Sequence, residues 1–264
     1  MALIPFASRS VRALLVGLAC ALSVVAASAQ DNGLLIYCGI TMVRPITELA
    51  RTFEQQEKIK ISISQGGSED LYRSARKSRT GDLYLPGEPS YRSKYLAEGL
   101  LGDFKVVGYN QMALFVAKGN PKKVQPDLKE LLRKDLILTI GNAESGSVGQ
   151  ESKAMLDRAN MYPKVVSHAA FLMPDSRAIN LALKRGDADL ALNWRATAFF
   201  PDNAPQIDAV DLDPLVAKPQ ALLLNLLTFS QNPALATKFM DYVASGEGQA
   251  VFRRYGFLDN SSAR

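Results

Sequence analysis

The chain has 264 residues, of which 47% are hydrophobic and 22% charged, and this composition is typical of a globular protein rather than a disordered one. Its length suits one large domain or two smaller ones. The net charge of +5 is spread along the chain. No RNA-binding or helix-turn-helix signature accompanies the basic residues, so nucleic acid is not an expected partner.

The first 29 residues have the pattern of a secretory signal peptide. Arg9 and Arg12 precede an uncharged apolar run, residues 13–29, that ends in Ala-Ser-Ala. A membrane anchor would need about 20 apolar residues, and lipoprotein processing at Cys20 is a second alternative. Cleavage after Ala29 removes two basic residues and no acidic one, which lowers the net charge from +5 to +3. We therefore expect a soluble, monomeric protein in the periplasm.

The remaining reactive residues do not predict an enzyme. Cleavage leaves Cys38 as the only cysteine, which excludes an intramolecular disulfide. His168 is the only histidine and lies far in sequence from Cys38, and a site for a free transition-metal cation would need more ligands. No carboxylate pair has a spacing that suggests acid-base catalysis. We expect neither a cofactor nor a resident metal cation.

The first predicted unit is a strand, a tight loop and a helix. An apolar run, Leu34 to Tyr37, is followed by Cys38, Gly39 and Thr41, and then by a helix whose apolar positions begin at Val43. Such a loop directs the free N–H groups of the first helical turn, and the positive end of the helix dipole, beyond the strand. This arrangement predicts an anion site.

Three more glycine- or serine-rich loops precede predicted helices. The strand Ile59 to Ser64 runs into Gly67 and Ser68, and Ser68 is predicted to cap the next helix. The strand Leu136 to Ile140 leads into the loop at residues 141–150. In the fourth loop Asp175-Ser176-Arg177 is predicted to cap a helix from Ala178 to Arg185. Strands are also predicted at Val165 to Phe171 and at Ala188 to Trp194.

Alternating strands and helices predict parallel sheets. Two strand-like segments, Met112 to Lys118 and Ala221 to Ser230, are interpreted as crossings that act as a hinge between two lobes. The predicted fold is therefore an α/β two-lobed clamshell, each lobe a mostly parallel sheet flanked by helices. Residues 30–112 and 220–264 form the first lobe and residues 113–219 the second. Ligands of such folds bind in the cleft at the carboxyl ends of strands.

Several motifs in this order resemble the periplasmic molybdate-binding proteins of ABC importers, which are type 2 solute-binding proteins. The motifs are LLIYCGITMVRPI, QGGSEDL, GDLYLPGEPSY, VAKGNP, LKRGDADLALNWRATA and FMDYVASGEGQAVFRRYGF. The resemblance covers nearly the whole chain after the signal peptide. It implies that neutral hydrogen-bond donors hold an unhydrated tetrahedral oxyanion, molybdate or tungstate, which is passed to an inner-membrane permease.

The resemblance also implies which residues contact the ligand. Gly39 replaces the usual first-loop serine, Trp194 replaces a tyrosine, and Thr197 stands where the family often has aspartate. Val148 and Gly149 correspond to backbone donors of the third loop. The implied ligand-binding residues are Cys38, Gly39, Thr41, Gly67, Ser68, Val148, Gly149, Ser176 and Trp194.

Alternatives remain open at two levels. Cys38 is either a buried small side chain or a ligand group for a thiol-seeking oxyacid such as arsenite, and Arg44 is either a solvated residue or an anion clamp. At the level of function, a periplasmic sensor that signals to a membrane histidine kinase is the alternative to transport. An enzyme built on the same fold is a third hypothesis.

Overall fold

The computed structural model describes residues 33–259, and they form two five-stranded sheets flanked by helices. The strands are β1 Gly33–Gly39, β2 Lys60–Gly66, β3 Leu83–Leu85, β4 Leu101–Asn110, β5 Met112–Ala117, β6 Leu138–Gly141, β7 Phe171–Met173, β8 Leu190–Trp194, β9 Ile207–Asp211 and β10 Gln220–Leu227. The helices are α1 Val43–Glu57, α2 Ser68–Ser78, α3 Ser90–Tyr95, α4 Ser147–Arg158, α5 Tyr162–His168, α6 Ser176–Arg185, α7 Pro233–Ala244 and α8 Gly246–Arg254.

The two sheets share one plan. The strand order is β2-β1-β3-β10-β4 in the first and β7-β6-β8-β5-β9 in the second. In each sheet the first three strands run parallel and the last two pairings are antiparallel. The α/β two-lobed fold is thus confirmed, and parallel pairing is confined to three strands of each lobe.

Each sheet buries its own apolar side chains. One cluster, which includes Phe115 and Trp194, packs around the second sheet. The first sheet has an apolar cluster on one face, with Phe53 and Phe239 edge to face, and a tyrosine-rich cluster on the other. Ala196 and Phe200, which follow β8, also pack in the apolar cluster of the first sheet.

The predicted strand Val165 to Phe171 is wrong for most of its length. Residues 162–168 form α5, which has a proline in its first turn. Of the predicted strand, only Phe171 lies in a strand, as the first residue of β7. The N–H of Val165 donates to the carbonyl of Met161 at 3.0 Å, as in a helix. Two adjacent β-branched valines favoured a strand, but the helix buries Val165 in the second-lobe core.

The two predicted crossing strands each pair within a single sheet. β5 belongs to the second sheet and β10 to the first. The chain passes between the sheets at Gln111 and at residues 212–219, immediately before these strands. An apolar pattern predicts a strand but not the strands with which it pairs. The sequence therefore did not show that each of these strands belongs to one sheet.

Both sheets contain an edge strand that the pattern did not indicate. β4 includes Asp103, Lys105 and two glycines, and β9 includes Asp208 and ends at Asp211. An edge strand has one neighbour and is partly solvated, so its sequence is more polar than that of a central strand.

The predicted signal peptide, residues 1–29, lies outside the described residues. Within residues 33–259, no helix combines the length and the apolar character needed to cross a membrane.

Candidate functional site

Three α-helices and one 3₁₀ turn begin at a small cavity between the two sheets. The 3₁₀ turn Ile40–Met42, which precedes α1, and the start of α2 approach it from the first lobe, and the starts of α4 and α6 approach it from the second. Its volume is about 10 Å³, roughly the room that one water-sized sphere needs. The lining residues are Ile40, Thr41, Gly66, Gly67, Ser68, Gly146, Ser147, Val148, Asp175 and Ser176.

Each of the three α-helices begins with a serine. Ser68, Ser147 and Ser176 are the first residues of α2, α4 and α6, and all three are buried. First-turn N–H groups have no partner within their helix, and the helix dipole adds partial positive charge there. Each serine therefore combines a hydroxyl with a helix start that favours an anion.

The hydroxyls of two of these serines already accept a hydrogen bond from an N–H group of a residue outside the cavity lining. Ser68 Oγ accepts from the backbone N–H of Gly87 at 3.0 Å, and Ser147 Oγ accepts from Trp194 Nε1 at 3.2 Å. A hydroxyl has one proton to donate, so in both serines that proton is free to point into the cavity. Ser176 Oγ is buried without a hydrogen-bond partner among the described residues.

The lining is almost free of charge. Asp175 has the only ionisable side chain in it, and one of its oxygens, Oδ1, accepts from the N–H of Ala178 at 2.9 Å and so caps α6. The capping role predicted for Asp175 is confirmed. An anion in this cavity would be bound by neutral donors and helix dipoles, without a basic side chain among the lining residues.

The absence of a side chain at Gly67 allows the two lobes to approach. A Cβ atom on Gly67 would lie 2.4 Å from the carbonyl oxygen of Ser145 in the second lobe. A Cβ on Gly87 would lie 2.1 Å from Ser147 Oγ, also across the cleft. Glycine permits close backbone contact, and here it brings donors of both lobes to one cavity.

The structure brings together five of the nine residues predicted to bind the ligand. Thr41, Gly67, Ser68, Val148 and Ser176 line the cavity. Cys38, Gly39, Gly149 and Trp194 do not.

Two of these four are glycines needed for packing. A Cβ on Gly149 would lie 2.1 Å from the carbonyl oxygen of Asn142, so Gly149 lets α4 pack against the loop after β6. A Cβ on Gly39 would lie 2.8 Å from Met42 Cε and 3.2 Å from the carbonyl oxygen of Leu85. Both glycines let the backbone approach neighbouring atoms closely. Matching these positions to backbone donors by sequence did not distinguish such packing from ligand contact.

The predicted cap at Ser68 is also corrected. Gly67 occupies the N-cap position of α2 and Ser68 is the first helical residue, with no side-chain cap. Its hydroxyl accepts from the N–H of Gly87 instead.

Cys38 belongs to the first-lobe core. It is fully buried, and its Sγ makes only a long contact, 3.5 Å, to the carbonyl oxygen of Gly39. Burial raises the pKa of the thiol far above its usual range, which disfavours the nucleophilic thiolate. This environment does not favour coordination of a thiophilic oxyacid.

We expect Cys38→Ser to lose stability and keep ligand affinity. A hydroxyl buried in the apolar cluster without a good partner costs about 1–3 kcal/mol. Denaturant unfolding should show this loss, whereas tungstate titration should give the wild-type affinity. A stable variant that no longer binds any ligand would instead place the thiol in the site.

Trp194 contacts a residue that lines the cavity but does not line the cavity itself. It is fully buried in the second-lobe core, and its indole N–H reaches Ser147 Oγ rather than the cavity. Trp194 is therefore placed to orient the Ser147 hydroxyl and does not itself line the cavity.

We expect Trp194→Phe to weaken oxyanion binding by about two- to tenfold, the range for one neutral hydrogen bond. The effect should disappear in a Ser147→Ala background, because there the indole has no hydroxyl to orient. Calorimetric titration of the wild type, both single variants and the double variant measures this coupling. Equal losses in both backgrounds would reduce Trp194 to a packing residue.

Sequence analysis did not predict Ser147 as a ligand-binding residue, nor the other lining residues Ile40, Gly66, Gly146 and Asp175. Ser147 follows Gly146 as Ser68 follows Gly67, and each serine starts a helix. Comparison of the loops with one another would have indicated Ser147.

Three other residues of interest lie away from the small cavity. Arg44 pairs with Asp202 at 2.6 Å and, with Thr197, lines a larger neighbouring cavity. His168 lies in the last turn of α5, with Nε2 2.9 Å from the carbonyl oxygen of Arg133.

Across residues 33–259, no three His, Cys, Asp or Glu side chains form a cluster that could hold a metal ion.

Two relatives match over most of their length. A binding protein of Haemophilus influenzae is 24% identical over 237 residues, which cover 88% of this chain and 93% of the relative. A Bacillus subtilis protein named as the ABC transporter substrate-binding lipoprotein YvgL is 22% identical over 236 residues, covering 88% of this chain and 84% of the relative.

Solved structures share the fold at low identity. The sulfate-binding protein SubI of Mycobacterium tuberculosis superposes with a TM-score of 0.76 at 16% identity, covering 88% of this chain and 89% of that one. The periplasmic molybdate-binding protein of Azotobacter vinelandii gives 0.68 at 14% identity, covering 85% and 98%. A family model described as bacterial extracellular solute-binding protein matches residues 34–258. The chain therefore belongs to the bacterial extracellular solute-binding protein family.

Proposed function

We propose that this protein captures a tetrahedral oxyanion between its lobes, with molybdate or tungstate as the leading ligands, and delivers it to an ABC permease. The observation that carries the proposal is the convergence of three α-helix starts, each with a buried serine, and one 3₁₀ turn on one cavity. Donor groups around a point suit an ion whose oxygens point in all directions.

Binding in this site is coupled to lobe movement. The lining donors belong to both lobes, and Gly67 of the first lobe lies against Ser145 of the second. The lobes must therefore separate to admit the ligand and close on it to bring both sets of donors into contact. Such closure is the signal that a permease would recognise.

Transport is favoured over signalling because the Bacillus subtilis relative is named as an ABC transporter component. The pattern of a signal peptide supports a periplasmic location for the proposed receptor. The family membership supports a binding role rather than catalysis.

Calorimetric titration with molybdate, tungstate, sulfate and phosphate tests the proposal. We expect tight, one-to-one binding of molybdate or tungstate that changes little with moderate salt, because buried interactions are weakly screened. Absence of heat and of thermal stabilisation with every tetrahedral anion would refute an oxyanion receptor.

We expect Asp175→Asn to tighten tungstate binding severalfold. Asparagine is an equally good helix cap, and the substitution removes the one negative charge that borders the cavity. The same titration measures it. Weaker binding would indicate that the carboxylate accepts a proton from the ligand, as it would from a hydrogen-bearing anion such as hydrogen phosphate.

A further inference from the structure

A second, much larger cavity adjoins the small one. Its volume is about 330 Å³, which falls in the range of small-molecule sites. The two cavities share Ile40, Thr41 and Ser176. The further lining residues are Val43, Arg44, Arg177, Asn180, Leu181, Lys184, Thr197, Phe200, Asp202 and Asn203.

The shared wall contains a polar group without a partner. Ser176 is 2% exposed, and its hydroxyl makes no hydrogen bond to any described residue. A buried hydroxyl left unpaired is costly, so its position between two cavities points to a ligand that passes this residue.

The larger cavity carries an excess of positive charge. Three basic residues line it, and Asp202 is the only acidic one among the lining residues. Arg44 pairs with Asp202 at 2.6 Å, whereas Lys184 Nζ is 4.0 Å from the same carboxylate. Lys184 is four-fifths buried, and besides this distant carboxylate its ammonium donates only a long hydrogen bond, 3.4 Å, to the backbone carbonyl of Asp202, so a second anionic group would add a close ion pair there.

The remaining wall is apolar or neutral. Phe200 is buried beneath the Arg44 guanidinium, 5.0 Å from ring centroid to Cζ, and Leu181 and Val43 add aliphatic surface. This lining suits a short carbon chain between two charged ends.

We propose, on the basis of the oxyanion function above, that the larger cavity is a second subsite and that the protein takes an organic oxyanion. The tetrahedral head binds at Ser68, Ser147 and Ser176. A short chain extends past Ser176 into the larger cavity, where its carboxylate pairs with Lys184 and Arg44. The ligand class is a phosphate or phosphonate that carries a small organic acid.

Two probes of similar size test the subsite. 3-Phosphonopropionate and propylphosphonate share the phosphonate head and a three-carbon chain, and only the first has a carboxylate. At pH 8, we expect 3-phosphonopropionate to bind the wild type about tenfold more tightly or better, the gain of one hydrogen bond to a charged group. Lys184→Gln should remove most of this preference without changing the affinity for propylphosphonate.

Lys118→Gln is the matched control, since Lys118 also pairs with a carboxylate, that of Asp208 at 2.7 Å, but lies outside both cavities. This variant should keep the full preference. Equal affinity of the two probes for the wild type, or a preference that survives in Lys184→Gln, would overturn the second subsite.

Tungstate competition separates this proposal from the oxyanion function. If tungstate binds and the two phosphonates do not differ, the subsite is refuted and the oxyanion function stands. If 3-phosphonopropionate binds more tightly than propylphosphonate and tungstate does not bind, the subsite is supported and the inorganic ligand is refuted. If neither probe nor any inorganic oxyanion binds, both proposals fail.

Discussion

Gly67→Ala should bind oxyanions about tenfold to a hundredfold more weakly than the wild type, and it should fold as stably as the wild type does. The added Cβ would lie 2.4 Å from the carbonyl oxygen of Ser145 in the opposite lobe, and within its own lobe it meets only an ordinary contact, 3.8 Å, with Asp70. Overpacking of this kind costs about 1–3 kcal/mol, and every 1.4 kcal/mol is tenfold in affinity. The cost applies only when the lobes are close.

The size of the anion should decide how large this loss is. Relief of the clash moves the donors of the first lobe away from those of the second, which harms a small anion more than a large one. We therefore expect sulfate to lose more affinity than tungstate. Gly246→Ala is the control, because a Cβ there meets nothing within 4 Å. Titration and thermal unfolding of both variants decide the matter, and unchanged affinity in Gly67→Ala would contradict closure at this contact.

Ser176→Ala should separate stability from binding. The hydroxyl has no hydrogen-bond partner among the described residues, so its removal should leave the melting temperature of the free protein unchanged or raise it. The bound anion loses a charged hydrogen bond worth about 1.5–3 kcal/mol, which is roughly a 10- to 150-fold loss of affinity.

Ser167→Ala provides the comparison for this substitution. Ser167 is exposed on α5 and its hydroxyl donates to the carbonyl of Lys164, so neither affinity nor stability should change much. A Ser176→Ala protein that binds normally but unfolds at a lower temperature would assign the hydroxyl to the fold instead of the site.

The central strands and the helix starts could be predicted from sequence, because their signals are local. β1 and β6 are largely apolar, and the loops after them carry glycine with threonine or serine shortly before a periodic helix. The edge strands β4 and β9 could not, since charged and glycine residues are tolerated where one side of the strand is free. The identity of each strand's partners depends on the tertiary fold.

Part of the candidate site could be predicted from sequence because its signals are also local. Ser68 and Ser176 follow from helix-start chemistry. Whether a residue beside a loop faces the cavity or the core is a matter of packing, as Cys38 and Gly149 demonstrate. The orientation of the Ser147 hydroxyl depends on Trp194, which lies 47 residues away in sequence, and no local pattern indicates such a contact.

Crystals grown with sodium tungstate, measured at a tungsten absorption edge, test the central claim most directly. The account predicts one dominant anomalous peak between the lobes, within hydrogen-bonding distance of the hydroxyls of Ser68, Ser147 and Ser176. A protein that binds tungstate stoichiometrically in solution but places its anomalous peak outside this cavity would contradict it.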